Sequence, residues 1–354
     1  MTKALSECLE NLRIRLLSAT ESPIDDAEFH ELAIQIACAQ AEALPLLRAS
    51  IPVDSPIDDC WGIPTMPTRG FKEWSIFCHG DEPVARTFLS SGTTQSDRSR
   101  HQHTEKTLAT YHLAALQGFR SFFGEEAPKR MVSLCPPREI APTSSLVDMF
   151  TVWLERFGDE QSTALGTVAP NGDWSLAVEP LLSCLDVAIR DNTPVFLMGA
   201  AFHYVWLLDA LPHPIVLPQG SLILETGGYK GRSRELPRDA LHRSLREKCG
   251  IAASSIVSEY GMSELSSQGY ARFGDGGGLF RFPSWVRARC VSPETGDAIE
   301  DNGVGILEII DLANVASTIA IQTQDLARPH PDGFEILGRS PDEEPKGCSL
   351  FVES

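Results

Sequence analysis

A chain of 354 residues has room for about two domains or one large α/β unit, and can bury a core without covalent staples. Its 30 Lys+Arg against 48 Asp+Glu give a formal net charge of −18. That argues against a nucleic-acid binder, which needs a basic face, and disfavours an anionic membrane surface as partner. A hydrophobic content of 42% beside 22% charged residues excludes a disordered chain.

In chain order, Leu5, Cys8, Leu9, Leu12 and Leu16 share one face at helical spacing, predicting a helix over 4–17. A second helix is expected from Asp26 to Leu44, with Asp25 or Asp26 as N-cap and Pro45 as its stop. Residues 50–72, rich in Pro and aromatics, read as a surface connection. Val84–Leu89 reads as a strand, and His103–Phe122 as a long helix. Strands at Met131–Leu134, Ser162–Val168, Pro194–Gly199, Ser221–Glu225 and 253–259 alternate with helices. Those helices are expected near Leu146–Phe157, Glu179–Asp191, Ala201–Leu211 and Pro237–Cys249. This order predicts layered α/β structure with mainly parallel sheets. From Leu279 to Phe334 short alternating runs (Trp285–Val291, Gly305–Ile310, Ser317–Gln322) predict a β-rich subdomain.

The termini and cysteines set further bounds. Charges inside MTKALSECLENLRIRL argue against a signal peptide. The apolar stretch Pro194–Leu208 is shorter than the ~20 residues a membrane span requires. Nine cysteines, odd in number and without a C-x-x-C pair, argue for free thiols in a reducing cytoplasm.

Four segments carry chemistry. Ser90-Ser91-Gly92-Thr93-Thr94 follows the Val84–Leu89 strand. Such a turn can aim N–H and hydroxyl groups at a polyphosphate, or be an ordinary Ser/Thr surface turn. No Walker A pattern is present, and Arg98, Arg100 and His101 could add positive charge. Glu225-Thr226-Gly227-Gly228-Tyr229 lets a flat base approach the backbone, and equally fits a plain Gly-Gly turn. Tyr260-Gly261-Met262-Ser263-Glu264 combines a ring that can stack on a purine with a carboxylate suited to Mg²⁺. Thr323-Gln324-Asp325, read as a strand end, places an acid that can take both ribose hydroxyls, or that sits in a β-turn.

Together, and in this order, SSGTTQ at 90–95, GG at 227–228, YGMSE at 260–264 and TQD at 323–325 resemble the adenylate-forming superfamily of acyl ligases. Within it the chain is most similar to the acyl-protein synthetase branch, typified by the LuxE component of bioluminescence fatty-acid reductases. Further texture of that branch lies in Ser99-Arg100-His101, Ala141–Leu146, Glu225–Gly231 and Lys346-Gly347-Cys348-Ser349-Leu350. The sequence departs from the superfamily pattern at Gln95 and Gln324, which stand where glycine is usual, and at Ser263, which replaces Thr.

The resemblance implies an α/β fold: the large N-terminal domain of the acyl-CoA-synthetase-like architecture, with a smaller β-rich subdomain and no usual C-terminal domain. The segments expected are 1–83, helical and packed on the body; 84–278, the adenylating core; 279–338, the β-rich subdomain; and 339–354, a tail. The resemblance implies ATP and Mg²⁺ as cofactors, with Ser90, Ser91, Gly92, Thr93 and Thr94 on the phosphates. It puts Gly227, Gly228, Tyr260, Gly261, Ser263, Asp325 and Arg339 at the nucleotide, and Glu264 at the metal as a catalytic residue. Arg100, His101 and His203 are candidates for a phosphate contact or the acyl-pocket wall. His203, inside an apolar helix pattern, reads as packing rather than as a base. Cys348 becomes the acyl acceptor, beside a lysine that can lower its pKa. The expected reaction activates a carboxylic (fatty) acid as acyl-AMP and passes it to Cys348 for an acyl reductase. The alternatives are transfer to CoA, a carrier protein or an amine, and a non-catalytic nucleotide-binding relative.

Overall fold

The computed structural model describes residues 1–51, 57–90, 98–170, 172–229, 231–273, 278–300 and 302–340. Helix α1 (Lys3–Ser18) begins where the Thr2 hydroxyl accepts the Leu5 N–H at 3.2 Å, and it buries Leu5, Leu9, Leu12 and Leu16. Helix α2 (Asp26–Ala43) is capped by Asp25, which accepts the Glu28 N–H at 2.9 Å. Pro45 ends it and opens α3 (Pro45–Ser50). A 3₁₀ turn (Cys60–Gly62), β1 (Met66–Pro67) and α4 (Gly70–Glu73) follow. Then come β2 (Arg86–Leu89), β3 (Arg100–His103), α5 (Glu105–Phe123), β4 (Arg130–Ser133), α6 (Ser145–Phe157), β5 (Thr163–Ala164), β6 (Gly166–Val168) and β7 (Trp174–Leu176). The chain continues through α7 (Val178–Arg190), β8 (Val195–Ala200), α8 (Ala201–Ala210), β9 (Leu222–Thr226), α9 (Arg238–Cys249), β10 (Ile256–Tyr260) and β11 (Gly269–Arg272). It ends with β12 (Val286–Val291), β13 (Gly305–Asp311), β14 (Ala320–His330) and β15 (Gly333–Arg339).

These elements form two compact units that interleave in sequence. The first takes Met1–Phe122, Gly261–Gln268 and Phe282–Ile336; the second takes Phe123–Tyr260, Gly269–Arg281 and Leu337–Ser354.

The second unit holds a six-stranded sheet in the order β11-β10-β9-β8-β4-β5, parallel except for β11. Leu181 and Leu185 of α7, Leu207 of α8, and Leu241 and Leu245 of α9 share one core with Val132, Leu197, Ile223 and Ile256 of the sheet. An aromatic cluster of Phe123, Phe150, Trp153, Phe196 and Tyr270, with ring centroids 5.0–6.3 Å apart, extends the core around α6. Every residue of β8, β9 and β10 is buried, and β8 accordingly reads as a continuous apolar run, while β9 and β10 end in buried polar residues. The expected 162–168 strand is two: β5 pairs with β4, and β6 turns into a hairpin with β7. Gly166 marks the break, because a Cβ there would lie 2.3 Å from the Cys135 carbonyl carbon.

In the first unit, β14 pairs with β13, β13 with β12, and β15 with β14. The 50–72 connection contributes a strand of its own, since β1 runs parallel to β14 with Met66 opposite Ile321. The expected 103–122 helix starts two residues later, at Glu105, because His103 belongs to a strand. The eight described cysteines are free thiols. No described helix is long and apolar enough to cross a membrane.

Candidate active site

In the first unit, β2 and β3 pair antiparallel, with Phe88 opposite His101 and Leu89 opposite Arg100. They are the two arms of the hydroxyl-rich loop. Its neck is closed twice: the Ser90 N–H donates to the Ser99 carbonyl at 3.1 Å, and the Ser99 N–H donates to Ser90 Oγ at 2.8 Å. Ser90 thus serves as a clamp, while Ser91, Gly92, Thr93 and Thr94 lie outside the described residues. Arg100 stays exposed and donates to the Lys72 carbonyl at 3.3 Å.

His101 turns inward. Its Nδ1 lies 2.9 Å from the Ser263 carbonyl, which can only accept, so Nδ1 carries the proton. Nε2 then accepts from the Ser317 hydroxyl at 3.0 Å. Complete burial pushes the imidazole pKa down to about 4. His101 is therefore neutral at physiological pH and supplies no positive charge to a phosphate. Its ring sits against Phe71 and the equally buried His103.

The segment Gly261–Gln268 that receives this bond is held from several sides within the same unit. Asn314 Nδ2 donates to the Glu264 carbonyl at 2.7 Å and to the Thr318 carbonyl at 3.0 Å. The Asp311 carboxylate accepts the Ser266 N–H at 2.9 Å, the Ser267 N–H at 2.8 Å and the Ser267 hydroxyl at 2.8 Å. It also accepts the Ala313 N–H at 3.0 Å. The Trp285 indole N–H meets Ser267 Oγ at 2.9 Å, and the Ser266 hydroxyl donates to Asn314 Oδ1 at 2.6 Å. Two carbonyls and two amides around Glu264 are thereby fixed, which orders the backbone that carries the carboxylate. Glu264 itself is buried.

Asp311, Asn314, Trp285 and Ser317 escape a motif reading. The signal present in the sequence is Asp311-Leu-Ala-Asn314 just after a strand, the pattern of an Asx turn. Burial pushes the Asp311 carboxyl up to about 6, outweighing the hydrogen bonds that oppose the shift.

Asp325 does not end a strand, as the sequence suggests. It lies inside β14, and the irregularity is a bulge. Gln322 faces Glu308 and Leu326 faces Ile306, so three residues, Thr323–Asp325, oppose Leu307 alone. The Thr323 hydroxyl donates to the Leu307 carbonyl at 2.8 Å and accepts the Asp325 N–H at 3.1 Å, which pins the bulge. Gln324 is not among the non-glycine residues with positive φ, so the backbone here accepts a side chain.

In the second unit, Tyr260 ends β10 and Gly227 follows β9. The register Glu259↔Thr226 sets these two residues side by side at the carboxyl edge of the parallel strands. Gly228 has φ +103°, a conformation that favours glycine. Tyr260 is buried and meets Phe280 edge-on with centroids 5.9 Å apart. Tyr229 donates to the Leu236 carbonyl at 2.8 Å. The neighbouring Glu225 is buried, accepts a hydrogen bond from Ser258 and lies 3.2 Å from His242 Nε2. Arg339 closes β15 beside Gly338, whose φ is +133°. His203 accepts the Ala200 N–H on Nδ1 at 3.1 Å and stacks among Phe202, Trp206 and Trp174, so it caps and packs α8. Cys348 lies outside the described residues.

Comparison with known proteins bears on the fold and the family. Solved 2-hydroxyisobutyryl-CoA ligase, in the postadenylation state with 2-HIB-AMP, superimposes with a TM-score of 0.65 at 13% identity, covering 90% of this chain and 68% of that one. Its open conformation with 2-HIB-AMP and CoA gives a TM-score of 0.64 at 13% identity, covering 89% and 76%. The likeness is one of fold, that of the N-terminal body of adenylate-forming ligases, as the sequence led us to expect. No curated protein matches the chain. A family model described as "Acyl-protein synthetase, LuxE" matches residues 177–354, half of the sequence. The chain belongs to the LuxE acyl-protein synthetase family.

Proposed function

We propose that this protein activates a carboxylic acid, of fatty type, with ATP and then carries the acyl group on Cys348. In the first step a carboxylate oxygen attacks the α-phosphorus of ATP. The bond to the bridging oxygen breaks, pyrophosphate leaves and acyl-AMP remains. In the second step the Cys348 thiolate attacks the acyl carbonyl, AMP leaves and a thioester forms. An acyl reductase is the partner class that would consume the thioester.

In this reading Ser90, Ser91, Gly92, Thr93 and Thr94 contact the phosphates, with Arg100 and Arg339 as further cations. Tyr260, Gly261 and the Gly227-Gly228 turn frame the adenine, Ser263 supplies a hydroxyl and Asp325 takes the ribose. Glu264, an oxygen donor of the kind Mg²⁺ prefers, would hold the metal, which when bound neutralises charge between phosphates. His101 takes no substrate role and acts as a positioning residue. The observation that carries the reading is the fixed backbone around Glu264, clamped by His101, Asp311 and Asn314 in a chain of this family.

Acid-dependent ATP–pyrophosphate exchange tests the first step. Glu264→Ala and Asp325→Ala are each expected to lower exchange at least about 100-fold, the scale of a lost electrostatic contact at the reacting phosphates. Unimpaired exchange in both variants would remove the site assignment. Labelled acid plus ATP tests the second step. A hydroxylamine-sensitive label is expected on the wild type and absent from Cys348→Ser, with exchange retained. An unlabelled wild type that forms acyl-CoA on adding CoA would instead support direct transfer to a soluble thiol.

A further inference from the structure

The first unit contains a second group of ligating side chains, which the acyl chemistry does not use. His30 projects from α2, and Asp59 and Cys60 open the 3₁₀ turn Cys60–Gly62. One nitrogen, one carboxylate oxygen and one sulfur, contributed by these three residues, lie within 4.8 Å of one another. His30 is 39% and Asp59 60% exposed, whereas Cys60 is buried, so the group is anchored on one side and open to solvent on the other.

The donor atoms are gathered by hydrogen bonds to the turn, and a cation would replace the longer of them. His30 Nδ1 accepts the Cys60 N–H at 3.3 Å, and Asp59 Oδ1 accepts the Trp61 N–H at 2.8 Å. These two acceptor atoms lie 3.4 Å apart, with the single Nδ1 lone pair already turned to the Cys60 N–H. A cation between them would displace the 3.3 Å Cys60 N–H contact at Nδ1 and neutralise the Asp59 carboxylate. Zn²⁺ bonds of ~2.0–2.3 Å in a tetrahedron set ligand atoms roughly 3.3–3.8 Å apart; the nitrogen–oxygen separation is 3.4 Å, and all three donors lie within 4.8 Å of one another. Thiolate, imidazole and carboxylate form the donor set of a borderline-soft divalent ion rather than of Mg²⁺ or Ca²⁺. The nearby arginines are already matched, Arg287 with Asp26 at 2.9 Å and Arg289 with Glu308 at 2.8 Å. Arg289 also stacks over Trp61, 4.6 Å from the ring centroid, and so holds the turn.

We infer that His30, Asp59 and Cys60 form a binding site for a zinc-like divalent transition metal, clipping α2 to the Cys60–Gly62 turn. The thiol proton leaves to solvent as the sulfur–metal bond forms, and water completes the tetrahedron. Metal that binds the folded chain and not the unfolded one, at 100 times its dissociation constant, shifts the unfolding constant about 100-fold.

Cobalt(II) titration of the full, reduced, metal-free chain tests the inference. The expected result is a near-ultraviolet thiolate-to-cobalt charge-transfer band with visible bands of tetrahedral intensity, saturating at one equivalent and bleached by zinc. Cys60→Ser should abolish the charge-transfer band, and Cys348→Ser should leave it intact. His30→Gln and Asp59→Asn, at partly exposed positions, should each weaken binding at least about tenfold. No saturable band, or a band that survives Cys60→Ser, overturns the site. If Cys60→Ser fails to fold, unchanged cobalt affinity in both other variants overturns it equally.

Discussion

At the scale of single residues, the most informative group is the buried imidazole of His101. Its folded pKa of about 4 lies below the ordinary 6.5. Between those values the unfolded chain binds more protons than the folded one, so stability rises with pH there and is lost as pH falls through the window. Asp311 acts in the opposite direction over an overlapping range. Its carboxyl is raised from 3.8 to about 6, so its contribution falls as pH rises between them. The two are separable only by difference. Urea titrations at pH 7 and pH 5 should show the wild type losing more stability on acidification than His101→Gln does. Equal losses would remove His101 as the group that titrates. Asp311→Asn replaces one acceptor oxygen with an amide donor facing protein donors. It should cost about 1–3 kcal/mol at neutral pH and lower pyrophosphate exchange through the Ser266–Ser267 turn. The sequence marks His101 only as a candidate phosphate or pocket contact and does not mark Asp311, because an imidazole used as a core side chain and an acid used as a turn anchor reveal those roles only through their partners.

Individual elements were legible to the extent that one element's own residues decide them. The helices over 4–17, 26–44 and 146–157 carry their caps and apolar stripes locally, and they appear within a residue or two of those bounds. The short strand β3 was hidden because its inward positions are His101 and His103, so its alternation is one of imidazoles rather than of aliphatics. The β14 bulge was hidden for a different reason, since it is defined by the register of β13 opposite it. Gly166 offers a test at this scale. Its missing Cβ lets β6 pass against the Leu134–Pro136 backbone, so Gly166→Ala should destabilise the protein by about 1–3 kcal/mol, read as a lower urea midpoint. The cap of α6 gives a smaller effect. Ser144→Ala removes the acceptor of the Val147 N–H at 3.3 Å and should cost about 1 kcal/mol.

For the whole molecule, the net charge of −18 disfavours polyanion partners but leaves ATP admissible, because local N–H groups and arginines act at shorter range than the global field. A non-hydrolysable acyl-adenylate mimic at 100 times its dissociation constant should raise unfolding stability by ~2.7 kcal/mol, and Asp325→Ala should abolish that increment. An unchanged urea midpoint in the wild type would contradict nucleotide binding by this chain. The order of elements, the layered α/β class and the four ordered motifs were determined by the sequence itself, since periodicity, capping and glycine placement act within a few residues. Only the tertiary structure decided which side chains hold the motif backbone: His101 from β3, Asp311 at the end of β13, and Asn314 and Ser317 just beyond it. It also decided that the Thr323–Asp325 segment is a bulge. These are contacts across tens to hundreds of residues, and their energy comes from burial and from partners that no local pattern encodes.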